Sequence, residues 1–285
     1  MQKRPYGNTG EQLSIIGFGG ILVMDTQPAE ASALVAEAVD RGINYFDVAP
    51  TYGNAEECLG PALEPYRQQV FLACKTTQRK GEEARQELHR SLQLLRTDHF
   101  DLYQLHGMTS QEDFDTATGP GGALEVIVKA QREGLVRHVG FSAHSAEIAL
   151  ALLDHYPFAS VLFPLNWSNY LNANFGPQVV DTAREKGAAR LALKGMAYGR
   201  LAQGAQKRYA KCWYEPIDQP ELASLALRFT LSQSITAAIP PGEPPLFRLA
   251  MDIADRFAPL SEAEIGALKQ QAQASTPLFR LQSAA

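Results

Sequence analysis

Gly42-Ile43-Asn44-Tyr45-Phe46-Asp47-Val48-Ala49-Pro50-Thr51-Tyr52-Gly53 is an apolar, aromatic run that ends in an acid, turns through Ala-Pro and reaches a tyrosine five residues beyond that acid. The run has the composition of a buried strand. Upstream, Pro28 to Arg41 has helical spacing: Pro28 suits a first turn, Leu34, Val35 and Val39 share one face, and Gly42 stands at the stop. Downstream, Val70–Lys75 is again strand-like. A helix, a strand, a second helical stretch and a second strand in this order are the pieces of a βαβ unit, whose strands run parallel.

The same alternation continues outward in both directions. Strands are expected near Ile15–Phe18, Ile43–Asp47, Val70–Lys75, Phe100–Leu105, His138–Phe141, Val161–Leu165, Leu191–Lys194 and Thr236–Ile239, with helices between them. A hairpin turning at Gly7-Asn8-Thr9-Gly10 precedes the first strand, and a helix over Ser261–Gln271 follows the last. The expected fold is α/β, a (β/α)8 TIM barrel with an N-terminal β-hairpin and a C-terminal helix. Residues 1–285 are read as a single domain, since α/β barrels commonly take about 250 residues as one unit. The longest irregular segments fall after the first, fourth and seventh strands.

Bulk properties exclude several classes of function. With 45% hydrophobic and 20% charged residues, the chain can bury a large core. A net charge of −5 gives no basic footprint for nucleic acid. Cys58, Cys74 and Cys212 are far apart, which argues against a disulfide framework or a structural zinc site. The N-terminus has no apolar signal region, and no membrane-length apolar run occurs, so a cytoplasmic protein is expected.

Closing eight parallel strands brings their C-terminal ends to one cleft. Those ends carry Asp47, Lys75, His106, Ser142, Asn166 and Lys194, with Pro240 and Gly242 just past the eighth. Singly, each has an ordinary explanation: Asp47 as a helix cap, Lys75 as a surface ion-pair partner, His106 as a bonded core histidine. Jointly, Asp47 with Tyr52, Lys75 in Phe71-Leu72-Ala73-Cys74-Lys75-Thr76, and His106 in Asp101-Leu102-Tyr103-Gln104-Leu105-His106 resemble the catalytic tetrad of the aldo-keto reductase family.

That resemblance implies a nicotinamide-dependent oxidoreductase that interconverts a carbonyl and an alcohol. Reduction needs a proton on the oxygen as hydride reaches the carbon, and a tyrosine supplies it if its pKa is brought down. A lysine ammonium about 4 Å away contributes about 4 kcal/mol at an effective dielectric near 20, or roughly three pK units, with desolvation opposing. Asp47 would keep Lys75 charged, and His106 would hydrogen-bond the substrate oxygen.

The resemblance also implies a coenzyme site. Ser142 and Asn166 match the pair that holds the nicotinamide carboxamide, whereas Ala143 stands where asparagine is usual; His144 either takes its place or caps the next helix. Leu193-Lys194-Gly195-Met196 replaces the usual stacking tyrosine and its turn, and Lys194 either meets pyrophosphate or a charged substrate, or is a solvated loop lysine. Ile239-Pro240-Pro241-Gly242-Glu243 replaces a basic, hydroxyl-rich turn. There Glu243 would repel an adenosine 2′-phosphate, while Arg248 could still bind it. The expected coenzyme is NADP, with NAD as the contender. Gly17-Phe18-Gly19-Gly20 lacks full dinucleotide-fingerprint spacing.

Substrate recognition is expected from the loops near Val23–Gln27, Met108–Gly121 and Met196–Pro220, with Trp167 and Trp213 as candidate walls. The substrate class is a small aldehyde, ketone or sugar carbonyl, with no nucleic-acid or membrane partner. Two rivals remain: a metal-dependent isomerase or hydrolase on the same fold, for which only Asp47 and His106 would serve as strand-end ligands, and a coenzyme-binding regulatory protein that retains an inherited tetrad.

Overall fold

The computed structural model describes residues 1–202, 204 and 206–281. The chain opens with a hairpin of β1 (Lys3–Pro5) and β2 (Gln12–Ser14), paired antiparallel with Lys3 opposite Ser14. Its turn uses Gly7 and Gly10 at φ +55° and +90°, backbone angles that other residues adopt only under strain.

Eight parallel strands follow: β3 (Phe18–Gly19), β4 (Tyr45–Asp47), β5 (Phe71–Thr76), β6 (Phe100–Met108), β7 (Val136–Ala143), β8 (Ser160–Pro164), β9 (Ala189–Leu193) and, last in the ring, Ala237–Ile239. The helices are α1 (Pro28–Asp40), α2 (Ala55–Leu63), α3 (Gly81–Leu94), α4 (Gln111–Thr118), α5 (Ala123–Arg132), α6 (Ala146–His155), α7 (Trp167–Ala173), α8 (Pro177–Glu185), α9 (Pro220–Ser232), α10 (Pro244–Asp255) and α11 (Glu262–Ala274). A small antiparallel pair, β10 (Ala197–Arg200) and β11 (Tyr214–Pro216), lies outside the ring, which makes Ala237–Ile239 β12. The ring closes where the Gly17 N–H donates to Ala238 O (3.0 Å) and the Ala238 N–H to Ile15 O (2.9 Å). Residues 15–17, expected within the first strand, are occupied by this closure, so β3 proper begins at Phe18.

Strand alternation divides the apolar side chains into two layers. Tyr45, Ala73, Leu102, Leu162, Leu191 and Ala237 fill the barrel interior, sealed from below by Tyr6 and Leu13 of the hairpin, and the Tyr6 hydroxyl donates to Ser160 Oγ (2.7 Å). Phe46, Leu72, Cys74, Tyr103, Leu105 and Phe141 pack outward against the helices. The interior layer is thus apolar at its base, which leaves the polar interior positions to the C-terminal end.

Two of the segments expected to be irregular hold regular structure. Residues 108–121 contain α4, started by Ser110, whose Oγ accepts the Asp113 N–H (3.1 Å). Residues 196–220 contain β10 and β11; Gln203 and Ala205 within that stretch lie outside the described residues. No described helix is long and apolar enough to cross a membrane.

Candidate active site

Asp47 ends β4 on the same face as Tyr45, two residues earlier, so both point into the barrel. Asp47 and Lys75 are buried and form an ion pair. The other carboxylate oxygen of Asp47 accepts from Gln104 Nε2 and from the Tyr45 hydroxyl, each at 3.1 Å. Lys75 Nζ also donates to Val48 O (3.1 Å). A buried pair repays its desolvation only when the remaining polar positions are satisfied, and these contacts do that. Burial is the largest influence on Lys75 and opposes its charge, but the Asp47 carboxylate and the neighbouring Tyr52 more than offset it, so the ammonium is held above the ordinary lysine range.

Tyr52 lies in the loop after β4, its N–H bonded to Ala49 O (3.1 Å). Its ring centre is 5.2 Å from Lys75 Nζ, and the His106 ring meets it edge-on at 5.8 Å. Burial pushes the phenol above its ordinary value, Lys75 pulls it back, and Asp47 pushes it up again. The net direction is upward, opposite to the lowering expected from the ammonium alone. The physical reason is twofold: the phenol is desolvated, and the lysine charge is largely neutralised by Asp47.

His106, on β6, is pushed down to about 3 by burial and then by the charges of Lys75, His144 and Arg79. The imidazole is therefore neutral near pH 7, and its Nδ1 is buried with no partner among the described residues. A neutral imidazole edge-on to the Tyr52 phenol is able to donate a ring N–H to an oxygen bound there without adding charge.

The expected coenzyme and substrate residues divide into two sets. Lys194, Trp213, Pro240 and Gly242 line one cavity of about 90 Å³ with Asp47 and Tyr52. Lys194 has a left-handed backbone (φ +69°), and its Nζ lies 5.1 Å and 4.8 Å from the ring centres of Trp213 and Tyr214. Burial lowers its pKa to about 8, and no carboxylate pairs with it among the described residues. A desolvated cation without a carboxylate partner among the described residues, at a strand end in the same cavity as Tyr52, fits a phosphate-bearing coenzyme.

The remaining residues are engaged elsewhere. Asn166 caps α7, its Oδ1 accepting from the Ser168 and Asn169 N–H groups and its Nδ2 donating to Lys194 O and Ala197 O. Ser142 Oγ accepts the Gly107 N–H (2.8 Å), which leaves its hydroxyl proton available. Gly195 packs beside Thr230, and Met196 is in the core. Arg248 forms a two-pronged bond with Glu37 of α1. Trp167 is fully buried, its indole N–H donating to Ala197 O (3.1 Å), so it braces β10. The cap offered to His144 belongs to Ser145, and His144 instead stacks on Phe279 at 5.4 Å.

Residues 211–214 cross the cavity as a strap. Lys211 Nζ donates to Leu22 O (2.9 Å), and the Lys211 N–H donates to a Glu243 carboxylate oxygen (2.8 Å). No group of three or more His, Cys, Asp or Glu is placed to hold a metal ion among the described residues.

Residues 15–226 match the model of the Aldo/keto reductase family. The chain belongs to the aldo/keto reductase family. This aldo/keto reductase is 33% identical over 266 residues to aldo-keto reductase family 1 member C21 of Mus musculus, covering 81% of this chain and 76% of the relative. It is 32% identical over 157 residues to the uncharacterized oxidoreductase YqkF of Bacillus subtilis, covering half of this chain and 49% of that relative's length. It is also 28% identical to the L-galactose dehydrogenase of Arabidopsis thaliana, covering 71% of this chain and 68% of the relative. Among solved structures, the holo form of aldo-keto reductase AKR11C1 from Bacillus halodurans superposes with a TM-score of 0.76 at 23% identity, covering 97% and 98% of the two chains. This aldo/keto reductase is accordingly an oxidoreductase with the family's barrel.

Several residues of the site escaped the sequence reading. Tyr45 and Gln104 each lie two positions before a named residue, Asp47 and His106, so period-2 alternation alone places them on the inner face. Lys211 and Cys212 carry no such signal, because the strap's path is set by long-range contacts, whereas the aromatics of Lys211-Cys212-Trp213-Tyr214-Glu215 read from the sequence as a pocket wall, a coenzyme cover or loop packing, and both line the cavity.

Proposed function

We propose that this chain interconverts a small aldehyde, ketone or sugar carbonyl and its alcohol with NAD(P)H, with Tyr52 as general acid in reduction and general base in oxidation. The observation that carries this reading is the buried Lys75–Asp47 pair set beside the Tyr52 ring, with neutral His106 edge-on to the same ring. The bound coenzyme supplies the hydride. Tyr52 delivers its proton to the carbonyl oxygen, Lys75 stabilises the phenolate that remains, and Asp47 keeps Lys75 charged and in place. His106, donating a ring N–H from its neutral form, orients the substrate oxygen.

For the coenzyme we assign Lys194 to a phosphate, Ser142 and Asn166 to the carboxamide, and Pro240 and Gly242 to the cavity wall; Gly195, Met196 and Arg248 join it only if the strand-end loops rearrange, since Met196 is in the core and Arg248 is bound to Glu37. A cavity of about 90 Å³ is well below the roughly 300–1,000 Å³ of small-molecule sites, so the 211–214 strap must swing out to admit a dinucleotide. Asn166 must also exchange a carbonyl partner to serve the carboxamide. NADP is the coenzyme the family implies. The Glu243 carboxylate at the start of α10 and the Glu37-bound Arg248 weaken a 2′-phosphate grip, so NADH should compete closely. Trp213, half exposed at the cavity, is assigned to the substrate wall.

Direct coenzyme titration, followed by turnover on a panel of carbonyls with and without chelator, tests the proposal. Coenzyme binding with chelator-insensitive turnover supports it. Tight binding with no turnover across the panel favours the regulatory reading, and metal-dependent turnover overturns it.

A further inference from the structure

The N-terminal face of the barrel, opposite the catalytic end, holds a second site. A cavity of about 590 Å³ opens between the hairpin, the start of β9 and the connection from α9 to β12. Arg4, Arg184 and Arg190 line it together with Asn8, Ser232 and Ser234, and its lining contains no carboxylate. Elsewhere on this surface arginines pair with acids, as Arg41 does with Asp252 and Arg208 with Asp218.

Two of the three guanidinium groups are fixed in place by neutral contacts. Arg4 Nη1 donates to Leu231 O (2.8 Å) and Ile235 O (2.9 Å), and its guanidinium lies 5.3 Å from the Phe257 ring centre. Arg190 donates to Ser234 O (2.6 Å) and Ala188 O (2.7 Å). Neither has a carboxylate partner among the described residues, and each keeps N–H groups without an acceptor there, Nε and Nη2 of Arg4 and Nη2 of Arg190. Burial lowers the pKa of both, and the nearby Arg184 lowers that of Arg190 further, as expected for positive charges gathered without compensation. Arg184 touches one acid, Asp181, at 3.2 Å on the exposed face of α8.

We propose that this cavity binds the phosphate group of a small phosphorylated molecule. Three guanidinium groups with free donors match a dianionic phosphate better than a single carboxylate. The volume exceeds that of the phosphate alone and leaves room for an organic remainder, with the serine hydroxyls and Asn8 as further donors.

The test is calorimetric titration of the full chain with inorganic phosphate at fixed ionic strength, with chloride as control. Binding should be saturable. Arg184→Gln should weaken it about 10-fold or more, since this exposed residue can change without loss of fold. Arg190→Gln should act in the same direction, and Asp181→Asn should tighten binding by freeing Arg184. Lys194→Ala at the opposite end should leave the Arg184-dependent part of the binding unchanged. Heat equal to that of chloride, or phosphate affinity lost in Lys194→Ala but kept in Arg184→Gln, would overturn the proposal.

Discussion

Replacing Asp47 by asparagine removes the counter-charge of Lys75 while keeping the shape of the side chain. The ammonium then faces only neutral acceptors, Val48 O and the amide oxygen of the new side chain, in a fully buried position. Leaving one member of a buried pair typically costs about 3–5 kcal/mol. A ceiling comes from neutralising Lys75: moving its proton to solvent at pH 7 from an ordinary value near 10.4 costs about 4.6 kcal/mol, and at pH 9 only about 1.9 kcal/mol. In the variant the folded lysine has a lowered pKa, so the unfolded state binds more protons between that value and about 10.4, and stability rises with pH across this window. In the parent the folded pKa is raised, so its contribution is present at both pH values and is lost only above the ordinary lysine range. Urea unfolding of both proteins at pH 7 and pH 9, with slopes compared, should therefore show a deficit of about 3–5 kcal/mol that shrinks to about 2 kcal/mol. Adding Lys75→Met to Asp47→Asn should recover part of the loss. A deficit below about 1 kcal/mol at pH 7, or one that does not change with pH, refutes the buried-pair account.

Three further outcomes follow from the same geometry. His106 is held neutral with a pKa of about 3 against an ordinary 6.5, so its contribution to stability is present above about pH 6.5 and is lost as pH falls toward 3. Urea unfolding at pH 7 and pH 4.5 should show His106→Gln losing about 2.5 kcal/mol less than the parent on acidification. Lys194 titrates near 8, so coenzyme affinity measured by fluorescence should weaken above that pH, and Lys194→Met should bind about 10-fold more weakly at pH 7 with no such dependence. Lys211→Ala removes the side-chain tie from the strap to Leu22 O, and stopped-flow coenzyme release should quicken by about 5-fold, as expected for one hydrogen bond.

The barrel and the gathering of Asp47, Tyr52, Lys75 and His106 at one end of it were legible because both depend on local pattern. Strand alternation and βα spacing place Asp47, Lys75 and His106 on inward positions whatever the distant contacts, and Tyr52 follows at fixed distance along the chain. The phenol's upward shift was not legible, since it depends on how fully Tyr52 is desolvated and how far Asp47 cancels Lys75. The anchoring of the strap was not legible either: Lys211 and Leu22 are far apart in sequence and meet only across the closure of the ring. Trp167 shows the same limit from the other side. A tryptophan next to Asn166 reads as a cleft wall, yet the α7 cap turns it into the core.

Steady-state reduction of a carbonyl substrate by Tyr52→Phe, with coenzyme affinity measured separately, tests the central claim most directly. The variant should lose about 10²–10⁴-fold in kcat/KM while coenzyme Kd stays within about 2-fold, because the hydroxyl acts on the substrate oxygen. A variant that retains activity within about 10-fold of the parent would contradict the assignment of Tyr52 as the proton donor.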